Sequence, residues 1–304
     1  MKRQYTPVGI DLNEYQKSIE AKHSKRHIKS VVLDSLMQCE AIRAKMSEAT
    51  ELVENWLQGD YYDSKNQRLA ELANRDIDRI VQDIIVITSQ VSEEELFTSV
   101  VGKVTSALNM SNKIDGTKTA AELLAVISDV ELYDIFKDDK YDPLKLISNI
   151  ELDSHVLEFI DQTQFLPPMV VPPKNVRKNY DFSYLTQKSS MITGKGICHD
   201  GDICLDSINK FNQVPLSLNV ELLTTLSEQP KKEYTDQKVR NQWHTFVTDS
   251  YRVYKDLIQV GNEFWLTHKY DSRGRTYAQG YHVTTQGNKF RKAIVELAEQ
   301  EVIE

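Results

Sequence analysis

The chain has 304 residues, of which 40% are apolar and 27% charged, enough for one large domain or two ordinary ones and too apolar for a disordered polymer. It contains no run of roughly eighteen apolar residues, which excludes a membrane-spanning helix, and its start, Met-Lys-Arg-Gln-Tyr-Thr-Pro, has no apolar stretch suited to a signal peptide. The net charge of −8 is uneven: Lys174 to Lys292 holds 18 Lys and Arg against 12 Asp and Glu, a balance of +6, which leaves −14 on the remainder. Beyond about 8–10 Å charge is screened at physiological salt, so the basic part can grip phosphates locally. The acidic remainder argues against a large DNA footprint in the first half. Three cysteines, Cys39, Cys198 and Cys204, make no disulfide framework and suit a reducing cytoplasm.

Residues 1–11 read as a loose arm. From Asn13 to about Glu54 the pattern is charged and helical, with Val31, Val32, Ser35, Leu36, Cys39 and Ile42 along one face. A polar connection spans Asn55 to Asn66. Arg68 to Thr88 predicts one long helix, and Ile77, Ile80, Val81, Ile84, Ile85 and Ile87 give it an apolar face wide enough for burial on two sides. Ser92-Glu-Glu-Glu95 has the form of a capped helix start with acids in its first turn, and that helix is expected to run to Leu108. Another follows from about Lys118 to Ser128.

Glu131 to Phe136 and Leu146 to Glu151 are short β-like runs. The intervening Lys137-Asp-Asp-Lys-Tyr-Asp-Pro143 is rich in turn formers, so a β-hairpin with a polar tip is expected at about 131–151. Ser154 to Thr163 predicts a short helix. Phe165-Leu-Pro-Pro-Met-Val-Val-Pro-Pro-Lys174 carries four prolines, which impose a stiff, extended backbone with few donors. On its own it reads as a linker or as a ligand for a proline-binding domain.

Asn175 to Asp202 is polar. Thr193-Gly-Lys-Gly196 lacks both the earlier Gly and the Ser or Thr after the Lys that a phosphate-binding P-loop needs. Cys198, His199 and Cys204 lack a second ligand pair for zinc, so no metal site is assigned to this chain. Two helical stretches follow, at about 203–227 and 234–260. Pro215 should kink or break the first. Joined by Gln229-Pro-Lys-Lys-Glu233, they predict a projecting antiparallel helix pair. Lys210, Lys231, Lys232, Lys238 and Arg240 are candidate phosphate contacts there, although each taken alone reads as a solvated cation. The histidines form no constellation, and no Ser-His-Asp order or hydrolase-like carboxylate pair is found.

The most informative stretch is Lys269-Tyr-Asp-Ser-Arg-Gly-Arg-Thr-Tyr277, followed by Gln286-Gly-Asn-Lys-Phe-Arg-Lys292. Arg273 and Arg275 flank Gly274, so two guanidinium forks border a point of backbone that can bend sharply or be approached closely. Each fork can donate two hydrogen bonds to one phosphate. Asp271 is placed to hold an Arg rotamer, and Tyr277 offers a ring for stacking. Lys289, Arg291 and Lys292 add three cations within four residues. On local chemistry alone the stretch reads either as a phosphate or nucleic-acid contact or as a solvated turn.

The pattern resembles the Asp-x-x-Gly-Arg motif at the start of the palm in the single-subunit phage and mitochondrial RNA polymerase family. There the motif reads Asp-x-Arg-Gly-Arg-x-Tyr, after an aromatic-rich strand and before Gln-Gly-Asn and a helical Lys. Here Glu263-Phe-Trp-Leu-Thr-His-Lys-Tyr270 precedes it, and Gln286-Gly-Asn288 follows, leading into the apolar turn Ala293-Ile-Val-Glu-Leu-Ala298. The spacing from Asp271 to Gln286 is one residue longer than in the best-known phage enzyme, so either Lys292 or Arg291 takes the family's Lys position. Val170-Val-Pro-Pro-Lys174, the preceding hairpin and the Asn-rich run Leu205 to Asn219 resemble family segments in the same order. The resemblance covers roughly residues 75–304 and is strong after Phe165.

This resemblance implies a mainly α fold with small β elements: an N-terminal domain over 1–202, a thumb over 203–262 and the first part of a palm over 263–304. It implies that the hairpin separates DNA strands, that the thumb lies against the RNA–DNA hybrid, and that Asp271, Arg273, Gly274, Arg275, Tyr277, Lys289, Arg291 and Lys292 approach template and transcript. The palm aspartates and the fingers Lys and Tyr have no match here. A polymerase holds two Mg²⁺ ions on such aspartates, so the chain alone is expected to be inactive. The family includes a split form, the heterodimeric polymerase of N-four-like phages, whose small subunit carries these parts. A large subunit would then supply the remaining palm, the fingers and the Mg²⁺, acting on DNA template, RNA and NTPs in the cytoplasm of an infected bacterium. Promoter opening would call on an accessory factor. A truncated one-piece polymerase is the alternative within this class; against it, Ile294, Leu297, Val302 and Ile303 would stand exposed without a partner. A non-catalytic nucleic-acid-binding or scaffold protein is the alternative outside it.

Overall fold

The computed structural model describes residues 9–194, 201–230 and 233–299, and it is mainly helical with a few short strands. After α1 (Leu12–Lys22), the chain from Lys25 to Asp161 forms one compact unit, while α1 joins the chain from Gln162 onward in a second. The expected first domain, 1–202, is therefore shared between the two units. The cause is visible in α1, where the buried residues are polar. Gln16 Oε1 accepts from Val170 N at 3.0 Å, and the Glu20 carboxylate accepts from the amides of Leu185 and Thr186 at 2.8 and 2.6 Å.

In the Lys25–Asp161 unit, α2 (Lys25–Leu36), α3 (Glu40–Leu57), α4 (Asp63–Ala73), α5 (Ile77–Ser89), α6 (Phe97–Leu108) and α7 (Lys113–Ile127) share one apolar core. α5 packs on α2, α3 and α6, and Val81, Ile84 and Ile85 are buried, as its wide apolar face predicts. The expected single helix over 68–88 is two helices. Asp76 accepts from Arg79 N at 3.0 Å and starts α5 as an N-cap, which α4 cannot cross. The stretch from Asn13 to Glu54 is likewise three helices, with Val32 and Leu36 buried and Cys39 exposed between α2 and α3. α6 does not begin at Ser92: β1 (Glu95–Leu96) pairs instead with the hairpin below. α7 begins earlier than Lys118, because Asn112 caps it by accepting from Ile114 N and Asp115 N.

The hairpin itself forms. β2 (Tyr133–Phe136) and β3 (Lys145–Ser148) pair antiparallel, Tyr133 with Ser148 and Phe136 with Lys145, and β1 adds to the far edge of β3. Tyr133 anchors its base: the ring is buried and its hydroxyl donates to Leu124 O at 2.7 Å. Tyr141 at the tip is 89% exposed. The helix α8 (Ser154–Thr163) follows with the expected bounds.

In the second unit the helix expected over 203–227 is broken into α9 (Leu205–Asn212), β4 (Leu216–Leu218) and α10 (Val220–Thr225). Pro215 ends the helical path, and Leu216 then exchanges backbone hydrogen bonds with Phe264 at 2.8 and 2.9 Å. The antiparallel helix pair is therefore replaced by these short elements and one long helix, α11 (Gln237–Gln259), capped by Asp236. Its second half, Val253, Tyr254 and Leu257, packs with Phe264, Leu266, Val283 and Ile294.

The proline segment is held by its neighbours. Met169 pairs with Trp265, and α9 turns an amide face onto the residues after the prolines. Asn209 both accepts from Val176 N at 2.7 Å and donates to Val176 O at 3.0 Å, while Gln213, one turn on, donates to Pro173 O at 3.0 Å. Side-chain amides thus supply what the prolines cannot donate. Toward the end, β5 (His268–Tyr270) and β6 (Thr276–Ala278) form a second hairpin. α12 (Lys289–Ala293) is followed by β7 (Val295–Leu297), not by further helix, because 295–297 pairs with β4. Ile294, expected to lie exposed, is fully buried in this chain's own core; Leu297 is 57% exposed, and Val302 and Ile303 lie outside the described residues.

Candidate nucleic-acid interface

The loop between β5 and β6 is built by one carboxylate and one glycine. Tyr270 and Thr276 close the ladder, Asp271 N donates to Arg275 O at 2.9 Å, and Gly274 N donates to Asp271 O at 3.0 Å. Gly274 has φ +77, a left-handed conformation that completes a three-residue hairpin loop. A Cβ there would meet nothing within 4 Å, so backbone conformation and not crowding calls for glycine.

Asp271 organises the rest. Its Oδ1 accepts from Arg273 N and Arg275 N, both at 2.9 Å, and its Oδ2 accepts from Arg275 Nε at 2.8 Å with the second guanidinium nitrogen at 2.6 Å. The backbone donation from Arg275, then its side chain, holds this carboxyl below the usual carboxylate range. Arg275 is thereby oriented, with its guanidinium 5.4 Å from the Tyr277 ring centre. Arg273 comes only to 4.0 Å of Asp271 and is 74% exposed. The tip presents one held and one exposed guanidinium, a fork suited to successive phosphate oxygens.

Gln286 and Asn288 attach the second part of the motif. The Gln286 amide accepts from Ala278 N at 3.0 Å and donates to Thr276 O at 3.1 Å, acting as a short surrogate strand on β6. Asn288 caps α12 by accepting from Arg291 N at 3.0 Å. The three following cations then part company. Arg291 turns inward: its Nε donates to the buried Glu228 at 3.0 Å, and its guanidinium lies 4.2 Å from the Phe246 ring centre. Lys289 and Lys292 are exposed. Of Arg291 and Lys292, Lys292 is the one left exposed.

Lys210 on α9 and Lys238 and Arg240 on α11 are exposed, and Arg240 is bonded locally to Gln237 at 2.7 Å. Lys231, Lys232, Cys198 and His199 lie outside the described residues. Among the described residues, no group of three His, Cys, Asp or Glu side chains is arranged to hold a metal ion, and no helix is long and apolar enough to cross a membrane.

Sequence reasoning missed three anchors of this site. Glu228 reads as one acid in a linker, yet it is buried against Asn288 and Arg291. His268, whose pKa burial lowers, accepts or donates at Nδ1 toward Asn212 Oδ1 at 2.9 Å. Lys269 is buried, although it reads as another cation of the loop. The signal for Lys269 was strand alternation: it faces opposite to His268 and Tyr270. Compared with known proteins, the chain matches no family model and no curated protein sequence.

Proposed function

We propose that this chain is the smaller part of a DNA-directed RNA polymerase of the single-subunit phage type, one that supplies the hairpin, the thumb segment and the Asp271–Tyr277 loop. The observation that carries the reading is the loop geometry: Asp271 fixes Arg275 and leaves Arg273 exposed, and Lys289 and Lys292 farther along the chain are exposed as well. Its sequence context, Val170 to Lys174, Asp271 to Tyr277 and Gln286 to Asn288 in the family's order, supports the same reading. Arg275 would position template or transcript by charge and not by proton transfer, since a guanidinium stays protonated. No catalytic step is assigned to the described residues, among which no three His, Cys, Asp or Glu side chains come together to hold a metal ion. The reading places the metal-holding aspartates in a large partner subunit, in the cytoplasm of an infected bacterium.

The test is primer extension on an RNA–DNA scaffold with NTPs and Mg²⁺, using the chain alone and then with the protein that co-purifies with it. Activity only with the partner supports the split polymerase. Activity of the chain alone, or scaffold binding with no activity and no stable partner, overturns it; the latter favours a non-catalytic nucleic-acid-binding module.

A further inference from the structure

Lys269 is the buried cation that the loop does not use. It is 8% exposed, and among the described residues its hydrogen bond runs to Ser189 Oγ at 2.7 Å and no carboxylate pairs with it. Its Nζ sits 4.1 Å from the centre of the Phe182 ring. A lysine kept from water without a counter-ion is costly unless a ligand supplies the missing charge. Burial accordingly pulls its pKa down to about 8, with no charged neighbour contributing.

Lys269 lines a cleft of about 380 Å³, within the usual span of small-molecule sites, and so does Phe182, the ring its ammonium sits over. One wall is aromatic: Phe165 and Tyr281 stack with ring centres 3.6 Å apart and planes within 10°. Gln164 and Gln279 also line the cleft, the Gln279 amide donating to Tyr277 O at 3.3 Å. The bend at Gly280 shapes its floor, where a Cβ would fall 1.9 Å from Val283 O, so no larger residue fits. The cleft therefore combines a lysine that no carboxylate pairs among the described residues, two glutamines and a flat aromatic wall.

We propose that this cleft binds a flat-ringed phosphate, in chemistry a mononucleotide unit, with Lys269 as the phosphate's charge partner and the Phe165–Tyr281 wall against the ring. The proposal does not depend on the polymerase reading. The unit can be a free mononucleotide or the phosphorylated end of a strand, and the two are separated by experiment.

The test begins with pyridoxal 5′-phosphate, a flat-ringed phosphate whose aldehyde condenses with a neutral amine, losing water to an imine that borohydride reduces to a stable secondary amine. The full chain is labelled at pH 7, and the modified lysines are mapped by mass spectrometry. At that pH the neutral fraction of Lys269 is on the order of a hundredfold larger than that of an ordinary lysine. Lys269 should therefore be labelled first, ahead of the exposed Lys289 and Lys292, and the labelling should be blocked by AMP or by a 5′-phosphorylated trinucleotide. Protection by AMP alone identifies a free ligand; protection by the trinucleotide alone identifies a strand end. Titration calorimetry with the protecting compound supplies the second measurement: Lys269→Met should weaken binding by about tenfold or more, while Lys269→Arg retains much of it. Labelling of Lys269 no faster than Lys289, failure of both compounds to protect, or unchanged affinity in a folded Lys269→Met variant overturns the proposal. Should Lys269→Met not fold, the labelling and protection results decide alone.

Discussion

Arg291 and Glu228 meet at 3.0 Å, the carboxylate only 1% exposed, and this pair ties α12 to the segment before α11. It turns one of three consecutive-looking cations into a structural residue. Removing either partner strands the other in a desolvated setting. Glu228→Ala and Arg291→Ala should each lower stability by about 3–5 kcal/mol in urea unfolding, whereas a joint replacement of both by methionine should cost far less. A double variant that loses the sum of the two single losses would mean that the two residues act separately.

On the proposed polymerase reading, Arg275→Ala should strongly reduce elongation by the assembled enzyme and leave assembly intact, because Arg275 is exposed and, among the described residues, its guanidinium meets Asp271 and the Tyr277 ring. Binding to an RNA–DNA scaffold should fall uniformly across sequences, and the salt dependence should flatten by about one phosphate contact. Wild-type elongation by this variant refutes the assignment.

Gly274→Ala should destabilise the hairpin by about 1 kcal/mol, and Gly274→Asn by less, since asparagine tolerates the left-handed conformation better. Space is not the obstacle, as the site around a Cβ is open. Calorimetric unfolding of the two variants tests the order.

His282 carries a pH signature. Burial pushes its pKa down to about 4, and its Nδ1 lies 3.0 Å from Ser250 Oγ. The unfolded chain takes up this proton near pH 6.5, the folded chain only near pH 4. Between those values the unfolded state holds more protons, so the stability from neutral His282 is complete above about pH 6.5 and declines as pH falls toward 4. Urea unfolding at pH 7, 5.5 and 4.5 should show a slope that His282→Gln reduces.

Elements fixed by local pattern were legible in the sequence. The β2–β3 hairpin and α8 stand where turn formers and periodicity place them. Breaks decided by one side chain were not. Asp76 reads as a polar residue on a long helix until its carboxylate is seen capping Arg79 N. The apolar run after Ala293 fits a helix as well as a strand, and pairing with β4, some eighty residues earlier in sequence, settles it. At the site, the identities of Asp271, Arg273 and Arg275 signalled their chemistry. The division of labour among Lys289, Arg291 and Lys292 depends on Glu228, a long-range partner that spacing cannot reveal.

The edges of the β5–β6 hairpin are both occupied. Along β5, Tyr270 exchanges hydrogen bonds with the 191–193 segment, accepting from Thr193 N at 2.7 Å and donating to Met191 O at 2.9 Å; along β6, the Gln286 amide takes the outward positions of Thr276 and Ala278. Among the described residues these bonds occupy the ladder at Tyr270, Thr276 and Ala278, which guards the hairpin there against edge-to-edge aggregation. The side chains of its tip, Arg273 and Arg275, stay exposed and are what the hairpin offers beyond those closed positions.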